Sequence, residues 1–475
     1  MVNFENQNQL AKEKKTKTNS PNGLPDDLIG RIFTFLPIKD AIVIADMVSP
    51  RYENSWRYNR RFLFDEDLSE RYDQHNLVAI VDHLFNSHKG CEIKTFKLHI
   101  DPVGIQFFLN RWLQICAQKD LEDLELHLSQ HGFTIEFSVF NALYKLKTLK
   151  LIKCVIQLPE APIGLQFLQT ISLCFLHITE DMFHVLIEHC KMLEIIDLIN
   201  CSTIKRLNLT ARENKHFKKL RIAYCNDLED IEIDSPNLCS IFYHGNFATI
   251  RIAQGMQLYE AFFYFITSNT YMKYTRLEAL VKDISNVSIL TTTPLLIEGV
   301  TARMRGGVFR EAQYCFVNMR ELQIFMDWGV FINPYDIMVF LKNCPCLEKL
   351  FIDLNDYQFD LGMYWQRHHK PLLDNNNHKF TQLKVVVVRD FKFLPSELEL
   401  VKIIVQKATI LEGLFLIPPK IKGRSKFKSE DIPKYANLFD SWSASRTLRV
   451  KYYENYVEES FANPTHPKAW FIDAS

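Results

Sequence analysis

Apolar and polar positions alternate in two rhythms along this chain. The first is helical. Leu24, Leu28, Ile29, Ile32, Phe33, Phe35 and Leu36 recur at the spacing of one helix, and the apolar side of such a helix needs a partner. Asp26 and Asp27 fall in its first turn, where negative charge suits the positive end of the helix. Pro25 suits a first helical position and Pro37 stops the helix. A second helix is predicted from about Lys39 to Val48, carrying Ile42, Val43, Ile44 and Met47. Ser49-Pro50 reads as a cap and a first helical residue, which predicts a third short helix holding Tyr52 to Trp56. Segments of fewer than about 40 residues seldom bury their apolar side chains without a metal, a disulfide or a partner. The residues alone leave two readings open, a small bundle packed on its own protein or an interface.

The second rhythm is a repeat of the form L-x-x-L-x-L. It occurs at Leu121-Leu124-Leu126, Leu146-Leu149-Leu151, Leu168-Ile171-Leu173, Leu193-Ile196-Leu198 and Phe217-Leu220-Ile222, recurring every 22–25 residues. That period predicts leucine-rich coils: a short strand with alternate side chains inward, then a return to the next layer. One coil cannot bury its own leucines, so only stacking closes the core. Thr179 to Cys190 and Asn333 to Asn343 are predicted helical returns. Ile204-Leu207-Leu209 and Leu228-Ile231-Ile233 each begin 11 residues after a repeat start and are expected to be narrow coils with bare-loop returns.

Ahead of the repeats, Arg57 to Arg71 reads as a charged connector. A helix is expected over His75 to Ser87, a strand over Ile93 to Ile100, and a helix over Gly104 to Gln118. The register blurs from Gln254 to Arg310, where Ile284 to Leu290 and Leu295 to Val300 suggest two strands. It returns at Met319-Leu322-Ile324 and Leu347-Leu350-Ile352. Asp353 to Asn377 is expected to be a long loop. Beyond it come a strand at Leu383 to Arg389, a helix at Ser396 to Ala408 with a Ser396/Glu399 capping box, and a strand at Leu411 to Ile417. A helix near Ile432 to Trp442 and a strand at Leu448 to Tyr453 complete the series.

Two of these blocks carry a family resemblance. LPDDLIGRIFTFLP followed by KDAIVIADMVSPRYENSW resembles the F-box of the large plant F-box/leucine-rich-repeat proteins, and residues 378–455 resemble the FBD region behind their repeats. The resemblance implies an α/β fold with a three-helix F-box, a leucine-rich-repeat solenoid of parallel strands, and an FBD-like end. The expected division is a disordered tail over 1–20, the F-box over 21–70, the solenoid over 71–354 and the FBD-like module over 378–455. The family's F-box docks on a Skp-type adaptor of a cullin-based SCF ubiquitin ligase. Leu24, Pro25, Leu28, Ile32, Leu36, Val48 and Trp56 match adaptor-binding positions, and a target protein would be held by the repeats. The chain departs from the family at Ile38, where a capping Thr is usual, and at Pro50 and Tyr52, where a basic residue and Trp are usual. Those departures keep an alternative in view: a non-ligase leucine-rich-repeat scaffold with a diverged F-box.

Composition narrows the function classes. The 56 basic and 56 acidic residues cancel, which disfavours nucleic acid or a membrane surface as a partner. The 11 cysteines are scattered, several within apolar runs (Cys154, Cys190, Cys201, Cys225, Cys344), as in reduced intracellular proteins. The first 20 residues are polar, and no apolar run approaches the ~20 residues a membrane helix needs, so a cytoplasmic or nuclear protein is expected. Cys344-Pro-Cys346 has no second pair, and His368-His369 falls in the expected polar loop, so no metal site is assigned. No nucleophile elbow, P-loop or dinucleotide motif occurs. No catalytic residue and no cofactor are therefore assigned, and the chain is expected not to be an enzyme. The basic stretches at Arg303 to Arg310 and Lys420 to Lys428 read as solvated loops.

Overall fold

Every L-x-x-L-x-L instance becomes a strand that starts two residues after its first apolar position, as in Thr148–Ile152 behind Leu146. The computed structural model describes residues 25–48, 54–266, 274–301, 314–326, 332–419, 432–452 and 463–466. The chain divides into two compact units, Met1–Pro159 with Ile163–Leu165, and Glu160–Pro162 with Gln166–Ser475.

In the first unit, α1 (Asp26–Phe35) and α2 (Ile38–Val48) lead through a 3-10 turn, Ser55–Tyr58, into β1 (Arg61–Phe64). Then come α3 (Glu66–Arg71), α4 (Gln74–Ser87), β2 (Thr95–Ile100), α5 (Gln106–Gln118), β3 (Asp123–Leu128), β4 (Thr134–Ile135), α6 (Phe137–Ala142), β5 (Thr148–Ile152) and β6 (Val155–Ile156). Strands β1, β2, β3 and β5 are parallel neighbours, so Phe62, Phe96, Leu124 and Leu149 form one row, all buried. The expected connector at Arg57 to Arg71 therefore holds β1 and α3. Its dense charge hid the alternation of Phe62 and Phe64. On the outward row, Lys97, Glu125 and Lys150 pair at 2.7 and 2.9 Å.

The second unit carries β7 (Thr170–Cys174), α7 (Glu180–His189), β8 (Ile195–Ile199), β9 (Arg206–Thr210), β10 (Lys219–Ala223), β11 (Asp230–Asp234), β12 (Ser240–Asn246), β13 (Thr249–Ile252) and β14 (Glu260–Ile266). It continues through α8 (Tyr274–Asp283), β15 (Ile289–Thr292), α9 (Pro294–Thr301), β16 (Glu321–Phe325), α10 (Pro334–Lys342) and β17 (Lys349–Asp353). A π-helical turn, Trp365–His369, precedes α11 (Lys370–Asp374), β18 (Val385–Arg389), α12 (Pro395–Lys407), β19 (Gly413–Ile417), α13 (Ile432–Trp442) and β20 (Arg449–Tyr452). The parallel ladder β7-β8-β10-β12-β14-β15-β16-β17-β18-β19-β20 stays in register. Leu220 lies beside Ile196 and Ile241, and Leu350 beside Leu322 and Val386. Leu220 is 1% exposed. Leu220→Ala is expected to cost about 2–5 kcal/mol, since both flanking strands hold the cavity open, read as a lowered urea midpoint.

Several expectations change. Ile204-Leu207-Leu209 and Leu228-Ile231-Ile233 are not narrow coils. They are β9 and β11, which join β13 in a second parallel sheet. Here a strand replaces the returning helix, so the 11-residue spacing is half a coil. Leu295 to Val300 lies in helix α9; a short apolar run with Pro at its start fits either structure until packing decides. Of the strand suggested at Ile284 to Leu290, β15 keeps the end, Ile289–Thr292. Asp353 to Asn377 holds a helical return, with Trp365 and His369 buried. His369 meets the side chain of Asn333 at 2.7 Å and stacks on Tyr335 with ring centroids 4.6 Å apart, so it is a packing group on the start of α10. The cap of α12 lies earlier than expected. The buried Glu397 carboxylate, and not Glu399, accepts from the backbone of Leu394 and Lys392. The FBD-like stretch carries the ladder on through β18, β19 and β20 with no break after β17.

A turn signal also emerges. Lys153, Phe175, Asn200, Tyr224 and Asp390 each follow a strand directly with φ between 51 and 58°. The next residues, among them Cys154, Cys201 and Cys225, are buried. Cys201 donates to the Leu173 carbonyl at 3.2 Å and Cys225 to that of Leu198 at 3.6 Å. Burial pushes the Cys154 and Cys190 thiols up to about 12, which keeps them protonated and unreactive.

Candidate functional site

Helix α1 has two apolar stripes. Ile29 and Phe33 are 4% and 3% exposed and pack with Ala41 of α2, and Leu36 and Trp56 close over them. Leu28, Ile32 and Phe35, one helical face at i, i+4 and i+7, are 45%, 47% and 73% exposed. Val43 of α2 is 52% exposed. A helix with an inward stripe satisfied and a second stripe in water has a face for something else.

The seven residues singled out from sequence separate accordingly. Leu28 and Ile32 lie on the outer stripe. Pro25 is exposed and sits just before α1 as its N-cap, with φ −58° and ψ 147°, rather than inside it. Leu36 and Trp56 pack inward on the Ile29–Phe33 cluster. Trp56 is overlain by the Arg57 guanidinium, 5.6 Å from its ring centroid. Val48 ends α2. Leu24 lies outside the described residues, as do Ser49-Pro50 and Tyr52. The third helix is the short turn Ser55–Tyr58. Phe35 and Val43 were legible as apolar helix residues, but their exposure follows only from how α1 and α2 pack.

A buried hydrogen-bonded chain fixes the orientation of α1. Asn59 is fully buried. Its Nδ2 donates to the carbonyls of Phe33 and Leu36 at 2.7 and 2.8 Å, and its Oδ1 accepts from the Arg61 backbone at 2.6 Å. Arg61 also donates to the Phe35 carbonyl at 3.2 Å. The carbonyls that end a helix are thus satisfied by the strand behind it. His88 donates from Nε2 to the Asn59 carbonyl at 2.9 Å, and Lys119 donates to His88 Nδ1 at 2.7 Å and to the Gly90 carbonyl at 3.0 Å. Nothing in the sequence spacing announced this relay, because its members are 29–31 residues apart.

Burial, reinforced by the Lys119 charge, lowers His88 from 6.5 to about 4. The fold holds the neutral ring, while the unfolded chain takes a proton below about pH 6.5. The His88 contribution is thus present above pH 6.5 and is lost as pH falls towards 4. Thermal melts over that window are expected to show a falling Tm, and His88→Gln, which keeps a donor for Asn59, a flatter dependence.

Beside the outer stripe lies an open cleft of about 1140 Å³ lined by Phe35, Tyr58, Arg31, Arg60, Lys89 and Glu92 among others. The margin of the apolar face is therefore largely basic. Among the described residues, no group of three or more His, Cys, Asp or Glu is placed to hold a metal, and no helix is long and apolar enough to cross a membrane.

Stacked parallel coils behind a short helical segment define a leucine-rich-repeat protein. Residues 84–457 match the family described as At1g61320/AtMIF1, LRR domain, and the chain belongs to that family. The match runs unbroken through both the repeats and the FBD-like end. Among its relatives in Arabidopsis thaliana is At1g61330, by name an FBD-associated F-box protein, 31% identical over 84% of this chain and 90% of the relative. The FBD-associated F-box protein At1g61320 is 28% identical over 87% of this chain and 92% of its own length. The F-box/FBD/LRR-repeat protein At1g13570 is 22% identical over 82% and 88%.

Proposed function

We propose that this chain is the substrate-recognition subunit of an SCF-type ubiquitin ligase in a plant cell, working in the cytoplasm, the nucleus or both. The outer face of α1 docks a Skp-type adaptor carried by a cullin-based ligase, and the repeats hold a target protein. The observation that carries this reading is the solvent-facing row Leu28, Ile32 and Phe35 on a helix whose other apolar row is already satisfied. The F-box names of the relatives support it. The chain itself breaks no bond. It raises the local concentration of the target at a transfer site supplied by its partners.

A second reading, a repeat scaffold whose F-box recruits no ligase, rests on Ile38. This residue occupies the place of a capping Thr and is 1% exposed, so it serves the fold rather than the helix end. Gel filtration of the chain with a purified Skp-type adaptor separates the two. Co-elution that Leu24→Ala with Pro25→Ala abolishes supports the ligase subunit. Separate elution of the two proteins supports the scaffold.

A further inference from the structure

The leucine side of the second unit's ladder is closed by helices and strands. The other side of its central strands is also closed, and part of the cover is the chain's own end. Residues Asn463–His466 lie against strands far back in the sequence. The Thr465 backbone donates to Glu321 Oε1 at 2.6 Å, and His466 Nδ1 meets Thr291 Oγ1 at 2.8 Å. His466 Nε2 stands 3.6 Å from Glu260 Oε2, and its ring meets Phe262 edge-on at 5.8 Å. Arg389 donates to Asn463 Oδ1 at 3.2 Å. Four strands, β14, β15, β16 and β18, thus contribute to one contact.

Register explains why these groups converge. Glu260, Ile289 and Glu321 are successive neighbours across the ladder, as are Phe262, Thr291, Gln323 and Phe351. All point away from the leucines, because side chains alternate along a strand. In the first unit the same outward row carries half-exposed lysines paired with glutamates. Here Thr291, Gln323 and Phe351 are each 1% exposed, and His466 is 1% exposed. Gln323 spends Oε1 on Thr291 at 3.2 Å, and its buried Nε2 has no partner among the described residues. Burying hydroxyl, amide and carboxylate groups on a sheet face is costly unless they bind something. The Glu321 carboxylate binds the backbone, and the Thr291 hydroxyl and Glu260 carboxylate meet the imidazole, of the Asn-Pro-Thr-His segment.

We propose that the outward face of β14–β18 is a binding site for a short peptide carrying a free backbone N–H followed by an imidazole, and that residues Asn463–His466 occupy it in cis. A partner peptide that takes this face must displace the tail. Tethering gives the tail a high effective concentration, so the tail sets the threshold for any competitor. This inference stands apart from the adaptor face on α1 and survives if that reading fails.

The test uses the full chain with a protease site inserted at 456–460, folded first and then cut. The cut tail is expected to stay bound through gel filtration. A large excess of synthetic peptide spanning 457–475 should displace it, while peptides with His466→Ala or Thr465→Pro do so at least 10-fold less well. Thr465→Pro removes the N–H that Glu321 accepts. In the uncut chain, diethyl pyrocarbonate is expected to modify His466 far more slowly than the exposed His75. Thr465→Pro should raise the His466 rate at least 10-fold with the melting temperature of the core retained. A cut tail that leaves at once, displacement indifferent to His466 and Thr465, or a wild-type His466 that reacts as fast as His75 would overturn the proposal.

Discussion

Replacing Leu28, Ile32 and Phe35 together by alanine is expected to weaken capture of a Skp-type adaptor by 10²- to 10³-fold while leaving the fold in place. Fully burying a Leu, Ile or Phe side chain contributes about 1.5–3 kcal/mol. Leu28 and Ile32 have about half of their surface still to bury, and Phe35 about three quarters. The remaining gain is about 2.5–5 kcal/mol for the three, of which the alanine Cβ atoms keep a share, so a loss of about 3–4 kcal/mol, which is that range of affinity, is expected. The folding cost is small, because exposed positions seldom matter by more than about 0.5 kcal/mol and alanine is the better helix former. Titration calorimetry reads the affinity, and the urea midpoint checks the fold. Ile29→Ala is the instructive contrast: Ile29 is 4% exposed, so its loss should lower stability by about 2–5 kcal/mol and affect the adaptor only through unfolding.

Asn59→Leu is expected to produce the largest local destabilisation, about 3–5 kcal/mol. It removes the donor to the Leu36 carbonyl, the acceptor for the Arg61 backbone N–H and one donor to the Phe33 carbonyl, which keeps the Leu36 N–H, and each unsatisfied buried group costs about 1–3 kcal/mol. Asn59→Asp keeps the acceptor for Arg61 but loses both donors, so it should fall between wild type and Leu. Amide exchange followed by mass spectrometry reads the effect. Peptides from α1 and α2 should lose protection, while those from β3 and β5 keep it. Uniform loss through the first unit would show that the helices and strands unfold together rather than through this contact.

The repeats were legible because their chemistry is local. A strand whose alternate leucines must be buried announces itself at every coil, and all five instances in the first series became buried strands. The helical returns opening at Thr179 and Asn333 were legible for the same reason, and both residues cap: the Thr179 hydroxyl accepts from Met182 three residues on, and Asn333 from Tyr335. What failed was whatever depended on the next layer. A returning strand and a narrow coil have the same apolar spacing, and only the pairing of Ile231 with Leu207 and Ile250 distinguishes them. Helix α9 and the helical return at Trp365–His369 were hidden in the same way, since packing rather than period decides them. At the candidate site, the sequence pattern located helix α1 but could not divide its two stripes. Leu36 and Trp56 belong to the inner stripe because α2 and the Ser55–Tyr58 turn lie on that side. The strap at Asn463–His466 was beyond reach, because its partners lie 74 to 206 residues away.

The central claim is that the outer stripe of α1 is the surface a ligase adaptor covers. A photoreactive benzophenone residue placed at Ile32 in the full chain tests it most directly, with the same probe at Phe107 of α5, which is more exposed (72% against 47%), as a stringent reference. Irradiation with a purified Skp-type adaptor is expected to give a cross-linked pair from position 32 and none from position 107, and unlabelled wild-type chain should suppress it. Equal yields from both positions, or no cross-link from position 32 at adaptor concentrations that saturate a micromolar complex, would contradict the account.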